Sequence, residues 1–451
     1  MPHVDLHGLP LTCASAEAAS AFNTTVLGYL KYRADTAAHM TRTLAADPGF
    51  AFAHILKGYF AMLSFKQANV LMAQDALSTA NGLLATASRR EQAHAAALSH
   101  WIAGDLDRTL KTWEEILDAH PTDVLAFRLH HFNAFWLGRP ETMAREVEEA
   151  MPRWASELPG WGSLLACKCF AHEELGNYDI AEPAGREAIA IDKGDLWAAH
   201  AVAHVLEMRG RRDEGIQWLA GLEPHWDGAN NLMHHLWWHR GLYHYERREF
   251  DQVLALYDRR FRNLASPLTS AQPDLYIDVQ NAASMLFRLE RQGVDVGDRW
   301  TEIADKAETR IGDCRSAFTL PHWMMALAAT RRFEAAGRML EGMRTFAADG
   351  KGTLAPLVRD CALPISEAVV ARARGDFSKA CTLMRPALDG MFRLGGSHAQ
   401  QDVLEQVFLD CAVRAKSADD VNLILSRVRA RHPVAPESRI GYADAARGMA
   451  H

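Results

Sequence analysis

A turn recurs along this chain at a nearly constant interval. Gly104-Asp105-Leu106, Gly138-Arg139-Pro140, Gly176-Asn177-Tyr178 and Gly210-Arg211-Arg212 follow one another at spacings of 34, 38 and 34 residues. Arg248-Glu249-Phe250 comes 38 residues later, and Arg331-Arg332-Phe333 and Gly375-Asp376-Phe377 resume the series. Each turn follows one stretch of helical apolar periodicity and precedes another, as in Tyr178 to Ile191. Glycine at such a stop supplies the left-handed conformation that ends a helix. Alternating Val/Ile/Thr runs are scarce, so strands are not signalled.

A period of this length marks paired-helix repeats of the tetratricopeptide type. One pair cannot bury its own apolar face, so neighbouring pairs must stack. The expected fold is all-α: a right-handed superhelical solenoid of paired antiparallel helices running over 1–451. Within it, 1–84 reads as N-terminal helices, 85–265 as the regular repeats and 266–451 as less regular ones. Ser266–Pro273 reads as a linker and Ala348–Thr353 as a loop.

Composition narrows the function. Lys+Arg number 49 and Asp+Glu 56, and no basic block occurs, so nucleic-acid binding is not expected. No apolar run approaches 18 residues, so a membrane span is not expected. Seven cysteines, an odd number with no Cys-x-x-Cys, together with an N-terminus lacking a basic-then-apolar leader, point to reduced thiols in the cytoplasm. The outlier is histidine: 21 residues, roughly twice average usage, alongside 12 Trp. An imidazole carries two polar nitrogens, which makes it costly filler and suggests a lined groove.

The histidines are patterned. His200 and His204, and 35 residues later His235 and His239, form two i, i+4 pairs. That spacing puts both rings of a pair on one helix face. Glu207 falls on the face of the first pair and Glu246 near that of the second. His200, His204 and Glu207 lie ten, six and three residues before the Gly210 turn, at offsets that line the concave wall of such repeats. These five residues, His200, His204, Glu207, His235 and His239, are the candidate catalytic set. One tension accompanies them: the pairs repeat at 35 residues but the flanking turns at 38, so the second helix must be longer or the turn near Arg248 lies elsewhere.

Acid–base or ligand-binding chemistry without a metal is the first reading of this set. Paired imidazoles with a carboxylate also suit a transition metal, and Zn at His200, His204, His235 and His239 is the alternative. Equivalent His columns also arise between repeats by packing alone.

Gly395-Gly396-Ser397-His398 through Asp402 forms a second constellation. Ser397 and Gln400 fit a capping box, which leaves Gly396 and His398 unexplained. A helix start of this kind favours anions. Gly396, Ser397, His398 and Asp402, with His322 and Trp238, complete the candidate ligand-binding set. Trp237 and Trp238 are adjacent, so at most one lines a groove. His130 and His131 point about 100° apart and cannot share a site.

The segments His200–Leu219, His235–Glu246 and Leu394–Asp402 resemble the tetratricopeptide repeat protein 38 family, and the likeness extends from Asn23 to the C-terminal helices. The family pattern usually carries Arg where this chain has Gln401. The resemblance implies a cytosolic all-helical solenoid and specifies little chemistry.

Two functions compete. One is a binding module whose His/Trp-lined concave groove takes a peptide, a protein or a small polar organic ligand. The other is a metal-independent hydrolase, lyase or isomerase with the central histidines as its active site. Positions that clamp a C-terminal carboxylate with Lys and Asn in tetratricopeptide grooves are His, Trp and Glu here, so chaperone-tail binding is not expected. The sequence leaves the oligomeric state open.

Overall fold

The computed structural model describes residues 3–448. A two-stranded antiparallel ribbon, β1 (His3–Val4) with β2 (Pro10–Leu11), precedes an all-α chain of tetratricopeptide-like helix pairs. The first five pairs are α1 (Ala16–Leu30) with α2 (Thr36–Ala46), α3 (Ala51–Met62) with α4 (Val70–Asn81), α5 (Arg89–Ile102) with α6 (Leu106–Ala119), α7 (Val124–Trp136) with α8 (Pro140–Ala150), and α9 (Trp161–Glu174) with α10 (Tyr178–Ile191). Then come α11 (Leu196–Met208) with α12 (Arg212–Leu222), and α13 (Leu232–Glu246) with α14 (Phe250–Leu256). A short α15 (Pro267–Ala271) leads to α16 (Tyr276–Arg291) with α17 (Arg299–Thr309), and α18 (Thr319–Ala329) with α19 (Phe333–Asp349). After α20 (Leu354–Leu357), α21 (Leu363–Ala373) pairs with α22 (Phe377–Met384) and α23 (His398–Arg414) with α24 (Ala418–Arg431), before a final α25 (Ala443–Ala446). Ser266–Pro273 is therefore not an extended linker: it holds α15, anchored by the buried Thr269.

One local device closes the pairs. All seven recurrent turns carry a left-handed residue: Gly104, Gly138, Gly176, Gly210, Arg248, Arg331 and Gly375 have φ between +57° and +83°. Each pivot sets up the same two backbone bonds. At Gly104, its N–H donates to Trp101 O at 2.9 Å and Asp105 N–H to His100 O at 3.0 Å. This pattern satisfies the last carbonyls of the first helix and reverses the chain. It recurs at Gly176, where Asn177 N–H donates to His172 O, and at Arg248, where Glu249 N–H donates to His244 O. His172 and His244 add side-chain bonds across their turns, to Asn177 and to Glu249. Tyr32, Phe65, Gly293 and Lys416 pivot the remaining pairs.

The pivot at Arg248 lies where its motif places it, so the mismatch between His and turn spacings falls on the helix: α13 has 15 residues against 13 in α11. His239 consequently lies nine residues before its pivot, between the registers of His200 and His204.

The helices form two compact units. One comprises the described residues up to Val202, with Pro224–Leu232 and Lys351–Thr353. Its core includes Tyr59, Trp101 and Trp113, whose rings meet edge to face, with Trp113 Nε1–H donating to Tyr59 Oη at 3.2 Å. The other comprises Ala203–Glu223, Met233–Gly350 and the described residues from Leu354 onward. There Gly215 lets Tyr243 pack flat on α12, since a Cβ would sit 2.3 Å from the Tyr243 ring. The division falls inside the continuous α11, between Val202 and Ala203. The expected boundary at 84/85 lies in the loop between α4 and α5, and that at 265/266 just before α15. Among the described residues no helix is long and apolar enough to cross a membrane.

Candidate functional site

Helices α11 and α13 bring their histidine faces together in the second unit. The His204 and His239 rings lie 4.3 Å apart between centroids, and His235 and His239 lie 4.7 Å apart. One ring nitrogen from each of His204, His235 and His239 falls within 4.8 Å of the others. All three are buried. Trp238 stacks on His235 at 5.0 Å with an interplanar angle of 13°, and forms one wall. Trp237 turns the other way, beneath the guanidinium of Arg260.

Acceptors behind the cluster orient two of the rings. His235 Nδ1 lies 2.8 Å from Asn281 Oδ1, and His239 Nδ1 lies 3.1 Å from Glu207 Oε2. Each contact fixes the orientation of its ring. Burial, reinforced by the neighbouring rings, holds His204 and His235 well below the usual imidazole range. Burial takes His239 down to about 3. The rings are therefore neutral at physiological pH. Burial also pushes Glu207 up to about 7, against the attraction of Arg288.

His200 stands one turn before His204 on α11, on the same helix face. Its ring packs against Trp197 at 4.7 Å and Phe170 at 5.3 Å in the first unit. Glu246 departs from the histidine stripe: it pairs with Arg212 at 3.1 Å and accepts from Ile440 N–H.

The remaining candidates surround the cluster at different depths. His398 is close enough to His204 to depress it electrostatically, and burial lowers His398 itself to about 4. His322 stays outside the cluster and bonds Phe318 O on its own helix through Nδ1 at 2.9 Å. Gly396 has a packing reason for being glycine: φ is +79° and a Cβ would lie 2.7 Å from the Phe318 ring. Ser397 and Gln400 form the expected capping box, and Gln400 Nε2–H donates to Gln280 Oε1 at 3.1 Å. Asp402 is a buried hub that accepts from Arg288, Arg439, Tyr442 and Gln406. Those two guanidiniums hold its carboxyl far below the usual range.

Sequence reasoning missed Asn281, Arg288 and Gln280. All lie on α16, a helix buried on every side. Gln280, Ser284 and Arg288 recur there at i, i+4 and i+8, and that polar stripe is the signal that could have found Gln280 and Arg288.

No family model matches the chain. The fold is similar to several solved structures of low identity. One is a human IFIT1 dimer with m7Gppp-AAAA, 11% identical, covering 98% of this chain and 96% of that one, TM-score 0.39. Another is yeast Tom70, 12% identical, covering 91% and 83%, TM-score 0.37. A third is the P58(IPK) TPR domain, 12% identical, covering 70% and 88%, TM-score 0.21.

Proposed function

We propose that this chain is a helical-repeat protein that binds a small polar organic ligand at a transition-metal centre formed by His204, His235 and His239. The observation that carries this reading is the convergence of three buried imidazoles, one ring nitrogen of each within 4.8 Å of the others, with His235 and His239 oriented by Asn281 and Glu207. Imidazole donors select Zn, Cu, Fe or Ni over hard cations such as Mg. A ring whose Nδ1–H is held by an acceptor is the usual arrangement behind a metal-bound histidine. A ligand oxygen completes the coordination sphere.

A metal bound there supplies a Lewis acid that polarises a ligand oxygen. Glu207 orients the His239 ring, and Trp238 covers His235 on one side. The resemblance of His200–Leu219, His235–Glu246 and Leu394–Asp402 to the tetratricopeptide repeat protein 38 family supports the helical-repeat part of this reading.

Metal analysis of tag-free protein tests the reading. One transition-metal ion per chain is expected. Co(II) substitution should give visible absorption that disappears in His204→Ala/His239→Ala while the helical circular dichroism persists. Protein that folds, holds no metal stoichiometrically and gives the same Co(II) spectrum with and without those rings overturns it. The second reading, metal-free acid–base chemistry, is favoured by one observation: a carboxyl near neutrality touching a neutral imidazole. It predicts ligand turnover in metal-free protein that Glu207→Gln abolishes.

A further inference from the structure

Six arginines are buried among the described residues: Arg90, Arg128, Arg262, Arg288, Arg310 and Arg439. Five have carboxylates in contact. Arg90 meets Asp5, Arg262 meets Glu302 at 2.7 Å, Arg288 and Arg439 meet Asp402, and Arg310 meets Asp274 and Asp313. Arg128, in the first unit, is 2% exposed and has no carboxylate within ion-pair distance. Its Nη2 donates to Tyr32 Oη and its Nη1 to Cys167 Sγ at 3.5 Å. Burial keeps both partners protonated and uncharged. The guanidinium lies 4.6 Å over the Trp197 ring and 5.6 Å over that of Tyr32.

A buried guanidinium that touches no carboxylate keeps unused ion-pairing capacity, and its presence needs a cause. The surroundings supply one. Trp197 Nε1–H is buried with no hydrogen-bond partner. So are both ring nitrogens of His131, three residues along α7 from Arg128, and Ser163 Oγ, one turn before Cys167 on α9. These polar groups lie on the helices that carry Arg128 and Cys167 and on Trp197, whose ring the guanidinium covers.

We propose that Arg128 anchors the carboxylate of a small planar organic acid, with Trp197 offering its Nε1–H and, with Tyr32, an aromatic surface for the ring. A guanidinium fork matches a carboxylate two-for-two. Asp195 acts on Arg128 from beyond ion-pair distance, and burial together with the Arg128 cation keeps His131 neutral. The site is in the first unit and does not depend on the metal reading.

Calorimetric titration of the full-length protein with acetate, benzoate and indole-3-acetate tests it, with inorganic phosphate as the comparison. Saturable binding of the ring carboxylates is expected, tighter than acetate, weakened at least about tenfold in Arg128→Gln and less in Trp197→Phe. Trp197→Phe keeps the ring and carries the test should Arg128→Gln not fold. Thermal unfolding of Arg128→Met gives an independent readout: without ligand it should be at least as stable as the parent. Absence of carboxylate binding, binding unchanged in both variants, phosphate binding in preference to benzoate, or a collapse of Arg128→Met overturns the proposal.

Discussion

A single carboxylate decides how the His239 ring stands. Glu207 leaves α11 at its last turn and hydrogen-bonds His239 Nδ1 on the next pair, which fixes the orientation of the ring. Removing such an orienting partner typically lowers metal affinity 10- to 100-fold. Glu207→Ala should therefore weaken Zn binding by about that factor in competition with a chromophoric chelator. An affinity equal to the parent's would separate Glu207 from the centre. His322 gives a second prediction at this scale, one of pH. Burial lowers its folded pKa to about 4 from an ordinary value near 6.5. Below 6.5 the unfolded chain takes up a proton that the folded chain refuses, so the stability His322 allows at neutral pH drains away as pH falls from 6.5 toward 4. By linkage the loss at about pH 5 is about 2 kcal/mol. His322→Leu, which cannot titrate, should close that much of the gap between urea midpoints measured at about pH 5 and about pH 7.5. The local residues of this centre were legible because i, i+4 spacing is a property of one helix. Asn281 was not, since its contact with His235 spans 46 residues of sequence and exists only once α16 packs against α13.

At the scale of the element, the hairpin pivot is the recurring unit. The turns were legible because a left-handed residue leaves a local mark: usually Gly, or a polar residue before an aromatic one. Tyr32, Phe65 and Lys416 left no such mark, yet their φ of +52°, +48° and +54° shows the backbone imposing the same geometry on side chains that disfavour it. A non-glycine residue in this region costs roughly 1 kcal/mol. Two substitutions of opposite sign follow. Gly176 has φ +76° and open space around a built Cβ, so Gly176→Ala isolates conformational strain and should lower stability by about 1 kcal/mol. Lys416 is exposed at its pivot, so Lys416→Gly should relieve the strain, offset in part by the entropy glycine adds to the unfolded chain. Denaturant midpoints at constant slope decide both; a destabilised Lys416→Gly together with a neutral Gly176→Ala would refute the strain account.

For the whole molecule, the division inside α11 means that no cut in the chain yields either unit with its helices intact. Ligand linkage must therefore be read on the full chain. A metal that binds only the folded state stabilises by about 2.7 kcal/mol at one hundred times its dissociation constant. That gain should appear where the ligands are anchored: the C-terminal half of α11, α13 and, through Asn281, α16. A carboxylate on Arg128 should instead slow exchange in α7, in α9 around Cys167 and in the first turns of α11 around Trp197. Amide hydrogen exchange on the full-length protein, with Zn alone and with benzoate alone, separates the two. Two distinct sets of protected segments mean two sites on one repeat array. Identical sets from either ligand would mean that one of the assignments is wrong, and the His204→Ala/His239→Ala and Trp197→Phe variants identify which.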